Sequence, residues 1–170
     1  MFARRDGFTI VELLIVIVVI GILAAITIVA FNGVQNRAND AAVTADMSNV
    51  SKQIMQYNAV NGVSPKGATQ LATLGIKIST NAYSRGAFIS SSWYNMLYCW
   101  PNAANPSDIA LIAQSKSGSV FEAKNGSVRK VTYSLGGSLD TCANAGVALD
   151  TTNDRDWFYD VDAWRTYVGR

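Results

Sequence analysis

One acidic residue lies inside the most apolar part of this sequence. Glu12 is the only ionisable side chain between Phe8 and Phe31, within the run FTIVELLIVIVVIGILAAITIVAF. An acid in a membrane-spanning segment generally marks a functional site and needs a positively charged partner, yet this run contains no Lys or Arg. A cut after Gly7 would supply that partner, because it creates a positive α-amino group on Phe8, four residues before Glu12.

A purely local role is the alternative for this carboxylate. Thr9 and Glu12 have the Thr-x-x-Glu spacing of a capping box, in which the two residues satisfy free backbone N–H groups at a helix start. A carboxylate in the first turn also suits the positive end of the helix dipole. The residues alone leave both interpretations open.

The sequence offers few residues for catalytic, nucleotide-binding or nucleic-acid-binding sites. The chain contains no histidine, which removes histidine bases, triads and histidine metal ligands. The glycine-containing segment at 135–140, LGGSLD, fits neither a phosphate-binding loop nor a dinucleotide fingerprint. A formal net charge of +2 gives no electrostatic footprint for nucleic acid. We therefore predict a protein that is not an enzyme and has no cofactor, and the residues give no support for direct nucleic-acid binding.

Calcium is the metal for which the sequence offers candidate ligands. Asp150, Asp154 and Asp156 lie close together near the C-terminus, and carboxylate oxygens are calcium ligands. The segment lacks the glycine and terminal glutamate of an EF-hand loop, and Arg155 and Arg165 neutralise it locally. The pattern favours a solvated acidic turn over a metal site.

The apolar run predicts a membrane-spanning helix. Its 24 residues would form a helix about 36 Å long, against a bilayer hydrocarbon core of about 30 Å. Arg4 and Arg5 before the run predict an N-terminus in the cytoplasm, with the rest of the chain outside. Gly21, Ala24 and Ala25 are small residues at close helical spacing, which fits either close helix packing or ordinary spanning-helix composition.

The helical pattern continues beyond the apolar run. Apolar residues recur at steps of four and three, which is a one-faced helical stripe: Val43, Met47, Val50, Ile54 and Tyr57. We predict one helix from Phe8 to about Asn61, weakened at Asn32-Gly33. A helix this long needs a sheet to cover its apolar stripe.

Strand patterns in the later sequence supply that sheet. Segments rich in β-branched and aromatic residues lie at 93–99, 109–114, 119–124 and 127–134, and Asn125-Gly126 predicts a tight hairpin. We predict a short helix around 69–74 and a loop-rich tail over 135–170 with a helical turn at 160–167. The predicted fold class is α+β: a long N-terminal helical spine, transmembrane in its first half, packed against an antiparallel sheet.

The N-terminal residues carry a family resemblance. RRDG followed by FTIVELLIVIVVIGILAAI resembles the N-terminal signal and anchor of type IV pilins and the related pseudopilins. The resemblance implies cleavage between Gly7 and Phe8 by a prepilin peptidase, which also methylates the new N-terminus at Phe8. It implies that Glu12 pairs with the amine of an adjacent subunit and sets the axial register. Many family members have a proline where this chain has Val29.

The two cysteines also fit the resemblance. Cys99 and Cys142 are expected outside the cytoplasm, where disulfides persist. Many pilins carry one disulfide that bounds a C-terminal surface region, and the spacing here is similar. Two free buried thiols are the alternative. Neither cysteine belongs to a metal-binding spacing.

The resemblance implies a division of the chain and a set of partners. Residues 1–7 would be a leader, 8–31 the transmembrane and filament-core helix, 32–61 the outer half of the helix, and 62–170 a globular pilin head. The partners would be other copies in a filament, the prepilin peptidase, and an assembly ATPase with its inner-membrane platform. The expected location is the cytoplasmic membrane, then a surface filament.

Two further interpretations remain open. A minor pilin or a secretion pseudopilin shares the same N-terminal motif, since each needs the same cleavage and the same helix packing. A monomeric membrane-anchored binding module, displaying residues 62–170, requires neither cleavage nor Glu12.

Overall fold

The computed structural model describes residues 7–84, 94–100, 109–135, 138–147, 155–159 and 163–166. The chain forms two compact units, an N-terminal unit (Met1–Asn36) and a C-terminal unit (Arg37–Arg170). Its elements in chain order are α1 (Ile10–Asn61), α2 (Gly67–Ala72), a 3-10 helix (Thr80–Ala82), β1 (Tyr94–Cys99), β2 (Ala110–Gln114), β3 (Val120–Lys124), β4 (Ser127–Val131), α3 (Ser138–Asn144), β5 (Arg155–Tyr159) and β6 (Ala163–Thr166). This arrangement confirms the predicted α+β class.

The N-terminal unit is helical and apolar. From Ile10 to Phe31 each side chain of α1 is exposed to the surroundings. By length and composition this part of the helix is able to cross a membrane. Within the unit itself, the described residues provide no core for these side chains, which form an exposed apolar surface of the kind that marks a membrane or protein contact.

The C-terminal unit buries the second stretch of α1 against the sheet. The predicted helical stripe is confirmed at four positions that are at most 1% exposed: Val43, Met47, Val50 and Ile54. They pack against alternate residues of β1, β2 and β3, which share one sheet face because side chains alternate along a strand: Met96, Tyr98, Leu111, Ala113, Phe121 and Ala123. Tyr57, the last residue of the stripe, is half-buried.

The sheet is antiparallel, with strand order β4-β3-β2-β1-β5-β6. Strands β3 and β4 are joined by the predicted two-residue turn, since Lys124 pairs with Ser127. Asn125 and Gly126 both have positive φ, 51° and 79°, as a type I′ turn requires. The turn chemistry and the strand pairing therefore agree.

A second, smaller core lies on the other face of the sheet. Strand residues on this face pack against residues in and just after α3. The strand residues are Cys99, Ala110, Ile112 and Val120, and their partners are Cys142, Ala145 and Val147. A disulfide joins Cys99 to Cys142 with 5.8 Å between the Cα atoms. The ammonium of Lys124 donates to the carbonyls of Ala145 and Gly146 at 3.1 and 3.3 Å, where a cation suits the carboxyl end of a helix.

The predicted loop-rich tail is wrong. Part of it forms α3, and two further stretches form β5 and β6, which extend the sheet beyond β1. The expected helical turn at 160–167 is contradicted at 163–166, which are strand; the rest of that range lies outside the described residues. Short strands such as AWRT carry little periodic signal, and pairing with a neighbouring strand decides their conformation.

Smaller differences concern element ends and the acidic residues. Strand β4 ends at Val131 instead of 134, and α2 begins two residues before the predicted short helix. The helix runs through Asn32-Gly33 without a break. Of the calcium candidates, Asp150 and Asp154 lie outside the described residues, while the backbone of Asp156 lies in β5, paired with Tyr98.

Candidate functional site

Thr9 and Glu12 form a closed capping box at the start of α1. The Thr9 N–H and its hydroxyl donate to the same carboxylate oxygen, Glu12 Oε2, over 2.8 and 2.7 Å. The Glu12 N–H donates back to Thr9 Oγ1 at 3.3 Å. The local role that the spacing indicated is therefore present in the structure.

The capping box uses only one oxygen of the carboxylate. Both bonds from Thr9 end on Oε2, and within the described residues Glu12 Oε1 has no partner. A carboxylate accepts bonds on both oxygens, so Oε1 remains able to bind a further donor. Capping and intermolecular pairing are therefore compatible, and the two interpretations of Glu12 do not exclude one another.

The Gly7–Phe8 bond lies just outside the helix. Gly7, Phe8 and Thr9 have no helical conformation, and Phe8 is 90% exposed. Proteolysis concentrates in exposed segments near chain ends. The capping bonds begin at the Thr9 N–H, so a cut at Gly7–Phe8 would leave them intact and would place a new amine one residue before the box.

Gly21, Ala24 and Ala25 lie on the exposed part of α1. A Cβ placed on Gly21 would meet no atom within 4 Å, so the chain's own fold does not require glycine there. The Thr27 hydroxyl donates to the carbonyls of Leu23 and Ala24 at 3.0 and 2.9 Å. This internal bonding removes a free polar group from the apolar surface.

The sequence-based search missed a buried carboxylate. Glu122 in β3 is fully buried; Arg129 Nη2 donates to its Oε1 at 2.8 Å and the Tyr133 hydroxyl to its Oε2 at 2.6 Å. Burial, and then the bond to Glu122, raises the pKa of Tyr133. Side chains alternate along β3, so Glu122 lies on the sheet face that does not contact α1. This second face is covered by α3, which the sequence analysis did not predict, so the burial of Glu122 could not be predicted either.

A second polar contact fixes α1 within the C-terminal unit. Asp46 accepts from the Ser79 N–H at 2.7 Å and from the Tyr83 hydroxyl at 3.2 Å. Burial and the nearby Asp46 charge raise the pKa of Tyr83. These hydrogen bonds join α1 to the segment that precedes β1. Among the described residues, no three His, Cys, Asp or Glu side chains come together as a metal site would need.

An exposed apolar helix with one acid at its start, attached to a disulfide-containing α+β unit, fits a membrane-anchored class of protein by length and composition. Comparison with known proteins agrees. Residues 2–28 match the family model described as the prokaryotic N-terminal methylation motif. The chain is 40% identical over 89 residues to the type IV wide pilus major component PilA4 of Thermus thermophilus. The aligned region covers 52% of this chain and 67% of that protein. The chain therefore belongs to the type IV pilin family. No solved structure matches it.

Proposed function

We propose that this chain is a structural subunit of a type IV pilus-like filament. A prepilin peptidase cuts it between Gly7 and Phe8 and methylates Phe8, and the subunit waits in the cytoplasmic membrane before assembly. The observation that carries the proposal is the run of exposed apolar side chains from Ile10 to Phe31. Lipid covers this run before assembly, and the same helices of other copies cover it in the filament.

Pairing of Glu12 with a neighbouring Phe8 amine would set the register of each incoming subunit. The proposal is supported by the Glu12 Oε1 atom, which has no hydrogen-bond partner among the described residues, and by the absence of Lys and Arg between Phe8 and Phe31. A carboxylate at the centre of a spanning helix costs about 2.5–3.5 kcal/mol, and less near its end. A subunit that leaves this charge unpaired in the filament core is disfavoured against one in the correct register.

Small residues would allow the helices to approach closely. One short section of α1 has small side chains, at Gly21, Ala24 and Ala25. The open space around Gly21 in the single chain leaves room for a second helix. Close approach of helix backbones at small residues is the usual packing mode in an apolar phase.

The C-terminal unit would be displayed outside the cytoplasm. Its disulfide supports this orientation, because disulfides persist in oxidising compartments. Arg4 and Arg5 support the opposite location for the N-terminus. An assembly ATPase and its membrane platform would extract the subunits, and adhesion, twitching motility or DNA uptake would be activities of the complete machine.

The first experiment reads the N-terminal peptide by mass spectrometry in surface material sheared from cells and in isolated membranes. A filament subunit predicts sheared material rich in chains that begin at methylated Phe8. Processed chains confined to membranes would favour a pseudopilin or a minor pilin. A chain that keeps residues 1–7 in both fractions would overturn the proposal in favour of an uncleaved anchor.

A pair of variants separates the two roles of Glu12. Glu12→Gln keeps a capping-box acceptor but removes the charge, so we expect normal membrane insertion and about a tenfold or greater loss of sheared filament, the ratio that about 1.4 kcal/mol produces. Thr9→Ala removes the cap, at a cost of about 1 kcal/mol to the helix, but keeps the charge and should still assemble. Normal filaments from Glu12→Gln, with failure of Thr9→Ala, would show that capping is the role that matters.

A further inference from the structure

Three exposed basic residues of the C-terminal unit lie around one contact between α1 and the sheet. The Ser117 hydroxyl, in the β2–β3 turn, donates to Asp40 of α1. Arg37 lies one helical turn before Asp40, and residues three apart are neighbours on a helix surface. Lys116 precedes Ser117 in the turn. Lys130 shares with Ser117 a groove of about 400 Å³ at that end of the sheet.

We call these three residues (Arg37, Lys116 and Lys130) the basic rim, and their charged groups form no ion pair among the described residues. Each is exposed. Asp40, three residues after Arg37 in α1, accepts the Ser117 hydroxyl on Oδ1. The groove beside Lys130 is also lined by hydroxyl groups, those of Ser119, Thr132 and Ser134 among them.

Chain length limits how far Arg37 can lie from the end of the apolar run. Five residues lie between Phe31 and Arg37, and the six residue steps span at most about 20 Å in any conformation. If Phe31 lies at the edge of the hydrocarbon core, lipid head groups occupy roughly the first 5–7 Å of that distance. Arg37, the rim residue closest in sequence to Phe31, therefore lies within reach of the head groups before assembly.

We propose that the basic rim binds anionic lipid head groups while the subunit is held in the membrane. Ammonium and guanidinium groups bind phosphate oxygens, and the hydroxyls of the groove supply further donors. Lysine and arginine beside a spanning helix are attracted to an anionic bilayer surface. The contact holds the C-terminal unit on the bilayer until a subunit is extracted. The inference rests on the proposed membrane span of residues 8–31.

Lysine acetylation of the full chain in lipid nanodiscs tests the proposal. An uncharged acetylating reagent is applied to chains in phosphatidylcholine discs and in discs with added phosphatidylglycerol, and each lysine is followed by mass spectrometry. In anionic discs we expect Lys116 and Lys130 to react about threefold more slowly, because head-group contact and the local proton excess keep the ammonium form. Lys52 and Lys66, exposed lysines of the same unit outside the groove, are internal controls and should keep their rates. The difference should disappear as added salt screens the surface charge.

Variants and the disc composition decide between the outcomes. Lys116→Glu should restore the rate of Lys130 in anionic discs, whereas Lys52→Glu should not. Equal rates in both lipids, or equal slowing of all four lysines, would overturn the proposal. Slowing that occurs in neutral discs and grows with the number of chains per disc would show that another copy covers the rim, and would also overturn it. A chain that fails to enter discs would contradict the membrane span itself, which is a failure of the proposed function.

Discussion

The buried carboxylate of Glu122 gives a prediction at the scale of single residues. Its main charged partner is Arg129, whose own side chain is 67% exposed. In Arg129→Ala the buried Glu122 carboxylate would keep the hydrogen bond from the Tyr133 hydroxyl but would lose its ion pair. We expect the free energy of unfolding to fall by about 2–3 kcal/mol. Urea unfolding of the detergent-solubilised chain measures it.

The matched controls for this prediction lie on the same strands. Lys130→Ala removes the next cation of β4, which is exposed, and should change stability by less than about 0.5 kcal/mol. The double variant Arg129→Ala with Glu122→Gln should recover part of the loss, because the buried group no longer carries charge. An equal effect of Arg129→Ala and Lys130→Ala would contradict the argument.

Tyr83 predicts how stability changes at alkaline pH. Its raised pKa means that, above about pH 10, the unfolded chain loses the phenol proton while the folded chain keeps it. The unfolded state then binds fewer protons, so stability falls as pH rises, by up to about 1.4 kcal/mol per pH unit for one such group. Tyr83→Phe should make the decline between pH 10 and 11 less steep, and an unchanged slope in thermal unfolding would contradict it.

At the scale of elements, the β3–β4 turn depends on Gly126. Its φ is +79°, and an added Cβ would lie 3.1 Å from the Met55 sulfur. Gly126→Ala should therefore destabilise the chain by about 1 kcal/mol or more. Gly33→Ala is the contrasting change, since Gly33 lies within α1 with no atom near its Cβ position and alanine favours a helix by about 1 kcal/mol. Effects of the same sign on the unfolding midpoint would contradict this account.

Elements with strong local patterns could be predicted from the sequence, and those that depend on pairing could not. The apolar stripe from Val43 to Ile54 has the period of a helix. The dipeptide Asn125-Gly126 is typical of a type I′ hairpin turn. By contrast, α3 is seven residues long and is held by a disulfide and by Lys124. Strands β5 and β6 exist through their register with β1 and with each other. Such tertiary contacts override weak local preference.

At the scale of the whole molecule, the candidate site shows the limit of one sequence. The Thr9–Glu12 box could be predicted because both partners lie within one helical turn. In the proposed filament, the partner of the Glu12 Oε1 atom would belong to another molecule, so neither the sequence nor the fold of one chain would contain its position. Glu122 was missed for a related reason, since its burial depends on the part of the chain that folds over the second sheet face.

The disulfide gives a prediction that separates the two units. Closing a loop with a sequence separation of 43 residues contributes about 4 kcal/mol in the chain-entropy model. Cys99 and Cys142 both lie in the C-terminal unit and tie α3 to β1, whereas no described contact of theirs involves the N-terminal unit. The variant with Cys99→Ser and Cys142→Ser should therefore insert into membranes and be processed normally, while its C-terminal unit unfolds at lower urea.

Limited proteolysis of the membrane-inserted protein across a urea series measures this separation. Cleavage within the C-terminal unit should begin at lower urea in the double serine variant, and in the wild type after reduction. The fraction of chains beginning at Phe8 should stay equal, because the proposed cleavage site at Gly7–Phe8 lies in the N-terminal unit, apart from the bridge. Unchanged cleavage midpoints would show that the packing of Ala145 and Val147, with the Lys124 contacts, holds α3 without the bridge. A loss of processing would instead show that folding of the C-terminal unit precedes cleavage at the N-terminus.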